Sequence, residues 1–164
     1  MRLSNRQKVP WFNFQNTVVI ALIALGFLLF VLEKFKFNIL GIEENLLILF
    51  PIILAVISYL RGRQIFEYDS DGETITIKNR RTNMFFPKVS NDEFPKYKVV
   101  DYQVVNFIIY KKLYLYINSK KHQKITLKYD ISYLTKKEIN NLKYSLSKIV
   151  KENKNNPISN ENSI

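Results

Sequence analysis

The 164-residue chain contains no cysteine. That excludes disulfides, thiolate metal sites and a thiol nucleophile, and it suits a reducing compartment. There is one histidine, His122, in the run Ser119-Lys120-Lys121-His122-Gln123-Lys124. The run reads as an exposed hairpin turn, so His122 is taken as a solvated turn residue rather than the base of a Ser-His-Asp arrangement. Four glycines, at 26, 41, 62 and 72, are too few and too scattered for a phosphate-cradling loop. Charge is missing altogether from Val9 to Leu32 and again from Asn45 to Leu60. Residues 61–164, in contrast, hold 20 of the 25 Lys/Arg and 11 of the 14 Asp/Glu, giving +9 of the net +11. So uneven a distribution divides the chain into a lipid-facing part and an aqueous part.

Phe12 to Leu32 is 21 apolar or neutral residues, which as a helix spans roughly 30 Å, the thickness of a hydrocarbon core. Trp11, Phe12 and Phe14 fall where interfacial aromatics belong, behind Arg2, Arg6 and Lys8. A cleaved signal peptide would share the basic start, but this run is too long, and Leu32-Glu33-Lys34-Phe35 offers no small-residue cleavage site. A second span is expected at about 45–61. It contains Pro51, tolerated with a kink, and ends at Arg61-Gly62-Arg63. Its apolar core, Leu46 to Leu60, covers only about 22 Å, so its flanks must snorkel or the bilayer must thin. The alternative is a buried helix of a soluble domain, but nothing else in the chain would cover it. The flanks carry three basic residues before the first span and Arg61 and Arg63 after the second. The connection 33–45 has two Lys against three Glu. The positive-inside rule therefore places both termini in the cytoplasm and the connection outside. Neither span holds an ionisable residue, which argues against a transport pathway.

After the second span the pattern turns to period two. Gln64–Tyr68 reads as a strand, Asp69-Ser70-Asp71-Gly72 as a turn, and Glu73–Lys78 as the returning strand, with Thr74, Thr76 and Lys78 on one face and Ile75 and Ile77 on the other. Asn83–Val89 is a third strand, interrupted by Pro87, and Asp92–Pro95 a loop. Lys98–Tyr110 is one long bent strand or two short ones. Leu113–Ile117 points Leu113, Leu115 and Ile117 inward and Tyr114 and Tyr116 outward, and pairs with Lys124–Tyr129 across the 118–123 turn. Thr135-Lys-Lys-Glu138 is a capping box, with Leu134 and Ile139 placed for a hydrophobic staple. Ile139, Leu142, Leu146, Ile149 and Val150 then make one apolar stripe on a helix over 135–153. The polar tail 154–164 is expected to be disordered.

The spans at 12–32 and 45–60, the Arg61-Gly62-Arg63 exit into a strand, the meander and the closing helix resemble the bacterial pleckstrin-homology-like membrane proteins. The resemblance covers nearly the whole chain through element order, without a diagnostic motif. It implies a membrane protein with an N-terminal transmembrane α-hairpin (1–63) and an α+β domain (64–153). That domain would be a curved pair of antiparallel β-sheets closed by the C-terminal amphipathic helix, in a bacterial inner membrane, with no catalytic function. Phosphoinositide-binding eukaryotic members use Lys/Arg in the first hairpin loop. Here the loop taken as first, with Asp69, Asp71 and Glu73, is acidic, which argues against that mode of recognition.

Asp69-Ser-Asp71-Gly72-Glu73 looks like the start of a calcium loop but lacks the later ligands and the terminal Glu. Asp92 and Glu93 have no opposing carboxylate that the sequence can place. No cofactor, metal or small-molecule substrate is therefore expected. The remaining signal is basic: Arg80-Arg81, Lys136-Lys137 and, as candidate lipid- or partner-facing residues, Lys111, Lys112, Lys120, Lys121 and Lys124. Lys, Asn and Ile together make up 56 residues, the bias of an AT-rich genome, so part of the Lys content is compositional. For a domain tethered beside anionic headgroups, each Lys or Arg near the surface is worth about 1 kcal/mol. The expected function is thus a non-enzymatic, membrane-tethered interaction or scaffolding module, meeting a protein partner or anionic lipid. A tethered nucleic-acid-binding domain, using Tyr110, Tyr114 and Tyr116 to stack bases, ranks below it.

Overall fold

The computed structural model describes residues 1–37, 44–82, 89–119 and 123–155. The chain divides into two compact units: residues 8–60, and residues 1–7 together with 61–164. This departs from the expected boundary at 63, because the first residues of the chain belong with the sheets.

In the helical unit, α1 (Val9–Leu32) starts with a proline in its first turn, where a missing N–H costs nothing. It is apolar all round, and Glu33–Phe37 continues it as a π-helical turn. The helical stretch Arg6–Lys36 is long and apolar enough to cross a membrane, with 11% of its most apolar window covered. The second helix, α2 (Glu44–Leu60), is shorter, and Pro51 lies inside it. At Gly26 the two helices come close: a Cβ there would sit 2.5 Å from the Leu47 carbonyl oxygen and 2.6 Å from Pro51 Cγ. Leu47 is four residues before Pro51, so its carbonyl is the one that proline's absent N–H leaves without a helical donor. Gly26 presents only a hydrogen to that oxygen, and the glycine and the proline thus fit as a pair.

The other unit holds two antiparallel sheets. The first, in order β1-β2-β3-β4, consists of β1 (Arg2–Ser4), β2 (Ile65–Asp69), β3 (Thr74–Arg80) and β4 (Val89–Pro95). A turn at Lys96–Lys98 leads into the second, β5-β6-β7: β5 (Val99–Asn106), β6 (Lys111–Ser119) and β7 (Gln123–Asp130). Helix α3 (Lys136–Asn155) closes the core. Ile75, Ile77, Leu113 and Leu115 are fully buried, as the alternation predicts, alongside Phe66, Tyr68 and Tyr129. All five residues of the α3 stripe are buried with them. The capping box forms as expected, with Thr135 N–H donating to Glu138 Oε2 (2.6 Å) and Glu138 N–H to Thr135 Oγ1 (3.2 Å). Polar groups then fasten α3. Ser145 Oγ lies 3.0 Å from the Tyr68 hydroxyl, and Asn153 Nδ2 donates to the carbonyls of Lys96 and Val99, both at 2.8 Å.

Three expectations need correction. Residues 2–4, read only as a basic flank, form strand β1, with Leu3 opposite Tyr68. Buried Asn5 extends the pairing: its Nδ2 donates to the Gln64 carbonyl (2.7 Å) and its Oδ1 accepts from Phe66 N–H (2.8 Å). A three-residue strand is too short to display a period, so only its partner reveals it. Second, Asp92–Pro95 is not a loop but the second half of β4, with Asp92 opposite Ile77 and Phe94 opposite Ile75. As an edge strand it needs one buried anchor, Phe94, and its polar face hides the pattern. Third, β5 stops at Asn106 after a bulge between Val99 and Asp101, and 107–110 is a loop rather than strand. Most of the expected strand at 83–89 lies outside the described residues, as does the tail beyond 155.

Three substitutions test these packings. Leu146→Asp should lower the stability of the full-length protein by about 3 kcal/mol or more, read as loss of the melting transition in detergent. Thr135→Ala should cost only about 1 kcal/mol. Gly26→Ala should cost about 1–3 kcal/mol in the same assay, since neither a backbone carbonyl nor a proline ring can move aside.

Candidate functional site

The chain enters the sheets through Arg61-Gly62-Arg63, and the contacts there are specific. Gly62 has φ +79°, and a Cβ on it would meet the Asp130 carboxylate at 2.4–2.8 Å. Glycine is required on both counts. Asp130 Oδ2 accepts the Arg63 N–H at 3.1 Å. Fully buried Asn79 ties this corner together: Nδ2 donates to the carbonyls of Ile65 (3.2 Å) and Asp130 (2.9 Å), and Oδ1 accepts from the Asp130 N–H (3.1 Å) and Arg63 Nη1 (3.4 Å). Since Asn79 is on β3 and Asp130 on β7, one asparagine joins the two sheets where α2 hands over to β2. The Arg61 guanidinium lies 4.6 Å from the centre of the Tyr133 ring. Burial pushes the Tyr133 hydroxyl above its ordinary pKa, and Arg61 and then Arg81 oppose that rise.

Charge gathers at this end. Arg80 ends β3 and Arg81 follows it, and Lys111 and Lys112 open β6, where Lys112 is opposite Asp130. Lys112 Nζ is 3.9 Å from Asp130 Oδ1 and 5.1 Å from the Tyr110 ring centre, so it is held in place. Ser132 pins the backbone of Lys111 on both sides, accepting its N–H at 3.0 Å and donating to its carbonyl at 3.3 Å. The far end of the four-stranded sheet carries the acidic turn. There Asp69 and Asp71 pair with Arg2 at 2.9 and 3.2 Å, and the Met1 ammonium hydrogen-bonds Asp71 and lowers its carboxyl pKa.

The five candidate lysines therefore do not form one patch among the described residues. Lys111 and Lys112 lie at the entry end. Exposed Lys124, opposite Asn118, lies six residues along the same strand pair, roughly 20 Å away. Lys120, Lys121 and His122 lie outside the described residues. The tyrosines proposed for base stacking are engaged: Tyr114 lies beneath Lys128 (5.5 Å), Tyr116 donates to Gln103 Oε1 (3.2 Å), and Tyr110 packs on Phe107 (4.7 Å). Asp92 accepts from Ser90 Oγ (2.6 Å) and the Tyr129 hydroxyl (3.0 Å), and burial, then Asp92, raises the pKa of that tyrosine. This carboxylate is tied into the fold. Among the described residues no cluster of three or more His, Cys, Asp or Glu could hold a metal ion.

Sequence reasoning missed the loop between β5 and β6. Phe107, Ile108 and Ile109 are exposed there, Ile108 fully so. The signal was an unalternating apolar run, Phe-Ile-Ile-Tyr, set between Asn106 and Lys111.

No family model matches the chain, and no curated protein or solved structure matches it.

The entry corner can be tested by proteolysis, since Arg61 and Arg63 are both tryptic sites. Gly62→Ala should accelerate cleavage at these arginines at least several-fold by expelling Asp130 from its contact. Gly72→Ala, also at positive φ (+69°) but with open space around it, should leave that rate unchanged, at a cost of about 1 kcal/mol.

Proposed function

We propose that this protein is a non-enzymatic, membrane-tethered interaction module. Helices α1 and α2 cross the bacterial inner membrane and return as a hairpin, and the sheet unit stays at the cytoplasmic face. The observation that carries this is the pairing of β1 with β2. The strand preceding α1 and the strand following α2 are hydrogen-bonded neighbours, so a chain that crosses a membrane in α1 must come back before Ile65.

The helices' surfaces support a lipid setting. Eighteen large apolar side chains of α1 and α2 are exposed among the described residues, each by roughly half. Leaving them in water forgoes on the order of 15–25 kcal/mol, more than the ~5–15 kcal/mol that ordinarily holds a domain folded. Trp11 and Phe14, stacked at 5.7 Å, sit in the first two turns of α1, as interfacial aromatics do. The 17 residues of α2 reach about 26 Å, nearer to a full crossing than its apolar run alone suggests. Close approach at a small residue is how helices associate in lipid, and Gly26 supplies it.

Two small antiparallel sheets closed by a C-terminal helix support the pleckstrin-homology-like reading. The acidic Asp69–Gly72 turn is the second connection of that unit, because β1 precedes it, so its acidity no longer bears on phosphoinositide recognition. The first connection is occupied by α1 and α2 themselves. On this reading Lys111 and Lys112, with Arg81, face anionic headgroups. The opposite end, with Lys124 and the acidic turn, remains open to a protein partner.

Reporter fusions test the topology. A fusion after Ile164 should behave as cytoplasmic and one inserted near Asn38 as external, and protease access to the C-terminus in intact cells would overturn the proposal.

A further inference from the structure

We infer that the β5–β6 loop, Phe107–Tyr110, dips into the same bilayer that α1 and α2 cross, as a third point of membrane contact; this rests on the membrane-tethered reading. The loop is a tight hairpin, closed by the Phe107 N–H donating to the Tyr110 carbonyl (2.9 Å), with the two rings 4.7 Å apart. Its two central residues are Ile108 and Ile109. Two-residue hairpin turns ordinarily carry Asn, Asp or Gly there, because those residues accept the turn's backbone angles and favour water. Isoleucine does neither, and Ile108 is 105% exposed, beyond what an extended chain would show. Such a departure from local preference is expected where a segment has a partner.

The surroundings identify that partner as lipid. The loop projects from the end of the sheets where the chain arrives from α2. Leu60 ends that helix, Gly62 and Arg63 two and three residues later lie on Asp130, and Asp130 is opposite Lys112. The isoleucines lie three and four residues beyond that pair, roughly 10 Å along the strand. Behind the apolar tip stand Lys111 and Lys112, with Arg81 beside Tyr133 at the same end, while Arg80 is turned to Glu67 (3.7 Å). Apolar tip first and basic collar behind is the order in which acyl chains and anionic headgroups are met from the membrane interior outward. A protein groove would use the tip equally well, but it would not call for the collar or for the adjoining exit of α2.

Because the chain has no cysteine, single-cysteine probes can be read without background. Full-length Ile108→Cys, Lys124→Cys and Leu25→Cys, each labelled with an environment-sensitive fluorophore, would be reconstituted in phosphatidylethanolamine–phosphatidylglycerol vesicles containing nitroxide-bearing lipid. The label at 108 should be quenched by the lipid nitroxide several-fold more than the label at 124, and should resist aqueous iodide. Equal iodide access at 108 and 124, with the label at 25 quenched by lipid, would overturn the loop assignment and leave the tether standing. Shielding at 108 from both quenchers would mean that a protein surface or a second copy covers the tip, and would also overturn it. A label at 25 that lipid cannot quench would overturn the membrane-tethered reading itself, and the loop assignment with it.

Discussion

The arrangement rests on three residues of backbone pairing. Strand β1 is held to β2 by the ladder from Arg2 to Ser4 and by Asn5, whose side-chain amide imitates one further rung. The amide is buried, so both of its polar ends must be satisfied, and Gln64 and Phe66 satisfy them in a single register. A slip by one residue would turn Leu3 out of the core and leave Asn5 unpaired. The helical unit is thus an insertion between two adjacent strands of one sheet, and both of its ends are fixed to the same body.

A second polar knot governs the opposite join. Asn79 and Asp130 connect the two sheets, receive the backbone that leaves α2 and hold Lys112 in register. Buried amides and carboxylates stabilise only when their partners are complete. Here the partners come from β2, β3, β6 and the entry segment at once, so this corner sets the direction in which the chain enters the sheets. It also keeps Lys111 and Lys112 at one end while the acidic turn stays at the other.

Legibility from sequence followed periodicity. Helix α3 was readable to within a residue or two, because a capping box and a five-residue stripe are local signals. The inward set Leu113, Leu115 and Ile117 was readable because β6 alternates strictly. Strand β1 and the second half of β4 were not, since each offers the core a single side chain, Leu3 or Phe94, and owes its conformation to a neighbour. The same limit applied to the candidate site. Composition singled out Lys111, Lys112 and Lys124 but could not place them at opposite ends of one strand pair. The loop at 107–110 passed for strand because isoleucine and phenylalanine favour strands. Gly62 and Asp130, 68 residues apart, left no mark in the sequence that joined them.

The insertion between β1 and β2 also bears on how the protein is made. Strand β1 leaves the ribosome first, yet its partner follows some 60 residues later, after both helices. Until then Leu3 and Asn5 have no register to adopt, and the sheet lacks an edge. Closing so long a loop is entropically modest, since the cost grows only with the logarithm of length; on the membrane-tethered reading proposed above, it also requires both strands on one side of the bilayer. If α2 were left uninserted on the far side, β1 and β2 would be separated by hydrocarbon and the four-stranded sheet could not complete. If the chain is tethered as proposed above, correct insertion is a precondition of folding, and a misinserted chain would present an open strand edge, Phe66 and Tyr68 included, to whatever quality control patrols that compartment.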